Sequence, residues 1–135
     1  MILKKLILVS HGKFCEGIKD SVEMILGSQD NIFTVALSEE DGPQDLEEKF
    51  KEYIDKNDTI VVFVDILGGT PANVITKLIM QGENFELYAG MNLPMIISYL
   101  NSQMVGENTD YVSQGQEGIV KVNDIINRTK SEDDE

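Results

Sequence analysis

The segment that most narrows the fold is 59–66, Thr-Ile-Val-Val-Phe-Val-Asp-Ile. A strand with one face in water alternates apolar and polar residues. This one is apolar almost throughout, as a strand covered on both faces must be. Strands of that kind belong to parallel sheets layered between helices. The rest of the chain repeats the message. Residues 2–9 form another apolar β run, broken only by Lys4 and Lys5. Residues 14–26 place Phe14, Ile18, Val22, Ile25 and Leu26 at helical spacing, with Gly27 as a stop. Residues 32–37 read as a strand and 38–42 as a polar loop. Pro43 opens a helix through about Lys56, with Leu46, Phe50, Tyr53 and Ile54 on one face.

After the strand at 59–66, residues 67–71 (Leu-Gly-Gly-Thr-Pro) turn the chain into a helix that runs to about Met80 and ends at Gln81-Gly82. Here Thr70 is expected as N-cap and Pro71 as the first helical residue. Residues 84–89 give a fourth strand, Gly90-Met91-Asn92 a loop, and Pro94 a helix through about Gln103. Residues 108–116 fit either a short helix or irregular chain, and 118–122 alternate like an edge strand. The order βαβαβαβα implies an α/β fold: a doubly wound, mainly parallel sheet of four strands flanked by helices, with right-handed crossovers. One domain is expected over 1–127, followed by an acidic, disordered tail over 128–135.

Composition excludes several roles. The net charge of −13 leaves no basic footprint for nucleic acid, and it disfavours anionic membranes. A basic protein would instead be steered in. No apolar run reaches the roughly 18 residues of a membrane helix. The apolar start runs straight into Ser10-His11-Gly12 with no cleavage site, so it reads as a strand rather than a signal peptide. The single cysteine, Cys15, fits a reducing cytoplasm. It can be read as helix packing or as a thiol near the histidine.

Open parallel sheets bind ligands beyond the carboxyl ends of their strands. That rule selects Ser10-His11-Gly12, then Asp65 with Gly68-Gly69-Thr70-Pro71, then Gly90 to Pro94. His11 is the sole histidine. Its neutral imidazole can accept a phosphoryl group or a proton, and one histidine alone makes a poor transition-metal site. Asp65 reads either as a carboxylate that ends its strand or as a partner that fixes the His11 tautomer. The glycine-rich turn opens a helix, so its N–H groups suit phosphate oxygens, yet it also fits an ordinary tight turn. Neither the Walker A ending nor Gly-x-Gly-x-x-Gly occurs.

Three segments carry a resemblance: Val9-Ser10-His11-Gly12, the run from Val64 to Asn73, and Ala89-Gly90-Met91-Asn92-Leu93-Pro94-Met95. Together they resemble the EIIA components of the mannose-family phosphoenolpyruvate-dependent sugar phosphotransferase system, over residues 1–125. The resemblance implies that His11 carries a phosphoryl group on Nε2, taken from the carrier protein HPr and given to a separate EIIB component. The membrane components EIIC and EIID would be indirect partners. Asp65 would hold Nδ1, and Ser10, Gly12, Gly68, Gly69 and Thr70 would line the phosphate site. Backbone N–H groups near Gly12 and Thr70 would be the oxyanion donors. A homodimer is implied, with the strand at 118–122 exchanged between subunits. No metal, nucleotide or other cofactor is implied. Three alternatives stay open. One is the phosphotransferase subunit of dihydroxyacetone kinases, which shares the early histidine but typically lacks the Gly-Gly-Thr-Pro turn. Another is a regulatory phosphohistidine module. The third is a hydrolase or isomerase with His11 and Asp65 as an acid–base pair.

Overall fold

The computed structural model describes residues 4–133. Residues 2 and 3 of the expected first strand, and the last two of the expected tail, lie outside the described residues. Strands β1 (Lys4–His11), β2 (Ile32–Leu37), β3 (Thr59–Val64) and β4 (Phe85–Ala89) form one sheet in the order β2-β1-β3-β4. Every pairing is parallel. Helices α1 (Phe14–Leu26), α2 (Pro43–Lys51), α3 (Thr70–Met80) and α4 (Leu93–Val105) follow the four strands in turn. Two further helices, α5 (Tyr111–Glu117) and α6 (Val122–Asp133), complete the chain.

The period of two along each strand divides the core into two layers. Leu6, Leu8, Val61 and Phe63 pack with Cys15, Ile18 and Val22 of α1 and with Ile96 and Tyr99 of α4. On the other face, Ile7, Val9, Val62 and Val64 meet Leu46 and Phe50 of α2 and Ile75 and Leu78 of α3. This explains the unbroken apolar run of β3: its residues from Ile60 to Val64 are all buried, whichever face they point to. Phe63 stands edge-on to Tyr88, Tyr99 and Tyr111, with ring centroids 5.6, 6.0 and 5.9 Å away. It thereby joins the sheet to α4 and α5. The charge buried in β1 is also accounted for. Lys5 Nζ lies 2.7 Å from the Asp58 carboxylate and donates to the Tyr53 carbonyl at 3.0 Å.

Several boundaries differ from the sequence reading. Helix α2 stops at Lys51 because tight turns take over, with Tyr53 N–H on Phe50 and Ile54 N–H on Lys51. The N-cap of α3 is Gly69, so Thr70 already belongs to the helix. Strand β3 ends at Val64, which frees Asp65 from the ladder. Residues 108–116 resolve into the short helix α5, capped by the Asp110 carboxylate on the N–H groups of Val112 and Ser113.

The C-terminal region corrects two expectations. No fifth strand occurs at 118–122 among the described residues. Residues 118–121 are irregular, and Val122 already opens α6. A five-residue alternation is too short to impose a strand without a partner to complete its ladder. Nor is 128–133 disordered, because α6 runs to Asp133. Asp124 in its first turn and Lys130 in its last complement the helix dipole.

Phe63→Ala should cost about 3–5 kcal/mol in urea unfolding, as expected for a buried aromatic removed from a packed cluster. It should also weaken the near-ultraviolet circular dichroism, which in a chain without tryptophan comes mainly from tyrosine. A loss below about 1 kcal/mol would contradict this account of the core.

Candidate functional site

The strand order reverses between β1 and β3, whose helices α1 and α3 lie on opposite faces. Their carboxyl ends are the expected place for a ligand. His11 closes β1, and Asp65 follows β3 directly. Because β3 stops at Val64, the β1–β3 register ends at Val9↔Val64, and beyond it His11 pairs only with Leu37 of β2. The Asp65 side chain takes over where the backbone ladder stops. Its Oδ2 accepts the His11 backbone N–H at 2.8 Å and lies 2.7 Å from His11 Nδ1. Its Oδ1 accepts the Ile66 N–H at 2.8 Å.

This geometry sets the tautomer. An ionised carboxylate only accepts hydrogen bonds, so Nδ1 carries the proton and Nε2 keeps its lone pair. Partial burial pushes the Asp65 carboxyl up, but the His11 backbone N–H, the His11 ring and the Ile66 N–H outweigh it. Together they hold the carboxyl below the usual carboxylate range. The His11 side chain is 50% exposed and that of Asp65 only 13%. The ring can be reached from solvent while its anchor is largely covered.

The glycine-rich turn closes one side of the ring. Gly68 has a φ of +87°, a backbone region that side chains rarely adopt. Gly69 is needed for a different reason. A Cβ placed there would lie 2.6 Å from His11 Cε1 and 3.3 Å from Nε2. The bare backbone therefore serves as a wall for the imidazole. Thr70 is half-buried in the first turn of α3, where N–H groups lack intrahelical acceptors. No hydrogen bond joins its side chain to His11 among the described residues.

The other expected residues are placed differently. Gly12, also at positive φ (56°), spends its N–H on the Leu37 carbonyl at 2.7 Å, so that group is not available to a phosphate oxygen. Ser10 points to the opposite face of the sheet from His11 and is fully buried. Its hydroxyl donates to the Gly12 carbonyl and accepts the Cys15 N–H, so it lies behind the site and not in its lining. Cys15 is buried, and that burial pushes its thiol up despite the opposing hydrogen bond with Ser10. The packing reading of this cysteine holds. Sequence reasoning missed that the apolar Phe14, Ile66 and Leu67, in the segments that follow His11 and Asp65, stay 49%, 57% and 80% exposed. Its signal was an Ile-Leu pair set between a strand-ending aspartate and two glycines, where an ordinary turn would be polar. Among the described residues, no group of three or more His, Cys, Asp or Glu side chains is placed to hold a metal ion. No helix there is long and apolar enough to cross a membrane.

Comparison with known proteins then decides the family. The model of the EIIA-man family, "PTS system fructose IIA component", matches residues 5–114, more than half of the chain. The chain belongs to this EIIA family. It is 33% identical over 98 residues to the fructose-specific EIIA component of Bacillus subtilis, covering 70% of this chain and 67% of that one. It is 28% identical over 122 residues to the mannose-specific EIIAB component of Escherichia coli K12. That match covers 84% of this chain but only 38% of the longer relative. The crystal structure of the EIIA component from Streptococcus agalactiae superposes with a TM-score of 0.80 at 31% identity, covering 90% of this chain and 98% of that one. The four-stranded parallel sheet is thus an EIIA fold in this chain as well.

Two outcomes test the site geometry in this EIIA chain. Gly69→Ala should swing the imidazole aside, because the clashing atoms are the far end of a side chain. Unfolding stability should change by about 1 kcal/mol or less. The Nδ1–H signal of the single histidine should be lost from the NMR spectrum, and its retention would contradict the contact. The second outcome follows from the depressed Asp65 carboxyl. Its interactions add stability that is fully present above its unfolded pKa of about 3.9 and is lost as pH falls through the lower folded value. The stability advantage of wild type over Asp65→Asn should therefore persist down to about pH 5 and narrow below about pH 4. A gap that widens there in acid titrations would contradict the assignment.

Proposed function

We propose that this EIIA chain is a cytoplasmic phosphocarrier of a sugar phosphotransferase system, with His11 as the residue that is phosphorylated. The observation that carries this reading is the Asp65–His11 bond, which leaves Nε2 as the nucleophilic nitrogen on a half-exposed ring. In the proposed step, Nε2 attacks the phosphorus of phosphohistidine on HPr. The new Nε2–P bond forms as the donor's N–P bond breaks, and the donor imidazole leaves with that electron pair. The Nδ1 proton stays on His11. The phosphorylated ring then carries a positive charge, which the adjacent Asp65 carboxylate stabilises. Transfer onward to an EIIB component reverses these roles, ahead of EIIC and EIID in the membrane.

Such a transfer needs mainly positioning and charge stabilisation. In this reading Gly68, Gly69 and Thr70, at the turn into α3, receive the phosphate oxygens, supported by the backbone N–H groups that a helix N-terminus presents there. The exposed Phe14, Ile66 and Leu67 near the two site segments likewise offer a carrier protein apolar surface to dock on. The sugar is chosen by the membrane components in this reading, and the relatives above are named for both fructose and mannose. We include a homodimer in the proposal. Ile119, Val120, Val122, Ile125 and Ile126 all stand exposed along the C-terminal arm, and β4 is an open sheet edge.

The test is a transfer assay with phosphoenolpyruvate, Enzyme I and HPr on wild type and His11→Ala. An acid-labile, HPr-dependent phosphoryl group should appear on wild type alone and pass to EIIB. Labelling of His11→Ala, or no labelling of folded wild type, would overturn the proposal.

A further inference from the structure

Ser10 is a hydroxyl with no solvent exposure at the end of an apolar strand. Burying such a group is unfavourable unless it is bonded, and this one is bonded twice. It donates to the Gly12 carbonyl at 3.0 Å and accepts the Cys15 N–H at 2.8 Å. The two partners lie on either side of the turn that leads from His11 into α1. The residue at the N-cap position of α1, Lys13, offers no side-chain cap, so Ser10 caps the helix from the strand. Gly12 is held a second time by its N–H on Leu37 at 2.7 Å. His11 is therefore fixed in front by Asp65 and behind by a turn whose slack Ser10 removes.

We propose that Ser10 is a positioning residue for phosphoryl transfer: its buried hydroxyl locks the 12–15 turn and thereby sets where the His11 ring stands. The inference rests on the phosphocarrier reading of His11. Ser10 touches neither the ring nor a phosphoryl group. It acts through the backbone of Gly12 and Cys15. Without the hydroxyl, the Gly12 carbonyl and Cys15 N–H lose a partner beside the reacting residue, and the turn relaxes toward other bonds. In-line transfer between two imidazoles tolerates such slack poorly.

A purely structural helix cap would lower stability and leave the chemistry alone, which separates the two roles. Ser10→Ala and Ser10→Thr are compared with wild type in the phospho-HPr assay, well below their melting temperatures, alongside NMR of the single histidine. Ser10→Ala should accept the phosphoryl group about tenfold or more slowly, with a weakened or broadened Nδ1–H signal. Ser10→Thr, which keeps the hydroxyl, should stay within about threefold of wild type. A destabilised Ser10→Ala with wild-type rate and ring signals would overturn the proposal. So would a Ser10→Thr as slow as Ser10→Ala, because the effect would then come from packing. If Ser10→Ala does not fold, Ser10→Cys takes the same test, since its sulfur is a much weaker acceptor. Failure of wild type itself to be labelled would count against the role of His11. The ring signals would then decide Ser10 alone, and unchanged signals would overturn it.

Discussion

One carboxylate oxygen holds this site together. Asp65 Oδ2 takes both the backbone N–H and the ring Nδ1–H of His11. The first bond continues the β1–β3 ladder one step beyond the last backbone pair, Val9↔Val64, so the position of the histidine follows from the register of the sheet. The second bond fixes the tautomer. A single interaction thus converts the strand order β2-β1-β3-β4 into an oriented imidazole. That conversion needs β3 to stop at Val64, and the buried layers on both faces hold β3 in place to that point.

Around this bond each neighbour has a distinct task. Gly69 leaves space for the imidazole, and Gly68 supplies the backbone angle that brings Gly69 close. Ser10, on the opposite face, holds the turn that follows the histidine. Phe14, Ile66 and Leu67, close in sequence to His11 and Asp65, are exposed, and the His11 ring is half open to solvent. In the proposed carrier role, a side chain that both receives and donates a group must remain accessible to two partners in turn. A rigid anchor beneath an open face meets that need better than an enclosed cavity would.

Much of this was legible in the sequence, and for identifiable reasons. The apolar run of β3 specified a strand covered on both faces. The sheet-edge rule then selected His11 and Asp65, because a lone histidine and a strand-ending aspartate stood at neighbouring strand ends. The role of Gly69 was not legible, since it depends on a contact with a ring 58 positions earlier in the chain. Ser10 could have been assigned to the far face from period-two alternation alone, because it is one residue from His11. Residues 118–122 form no strand within the single chain, because a short alternation has no meaning without a neighbouring strand to pair with. The α6 segment that follows is helical, with Asp124 in its first turn and Lys130 in its last, within a strongly acidic end that a reading by composition treats as disorder.

In the proposed transfer, Nε2 of His11 is the nitrogen that reacts. The most direct measurement is phosphorus and nitrogen NMR of the chain after phosphorylation by HPr, with its single histidine labelled in the ring. Phosphorus–nitrogen coupling should appear to Nε2, with Nδ1 still protonated and facing Asp65. Coupling to Nδ1 would show that the Asp65 bond does not govern the chemistry, and would contradict the role of Nε2.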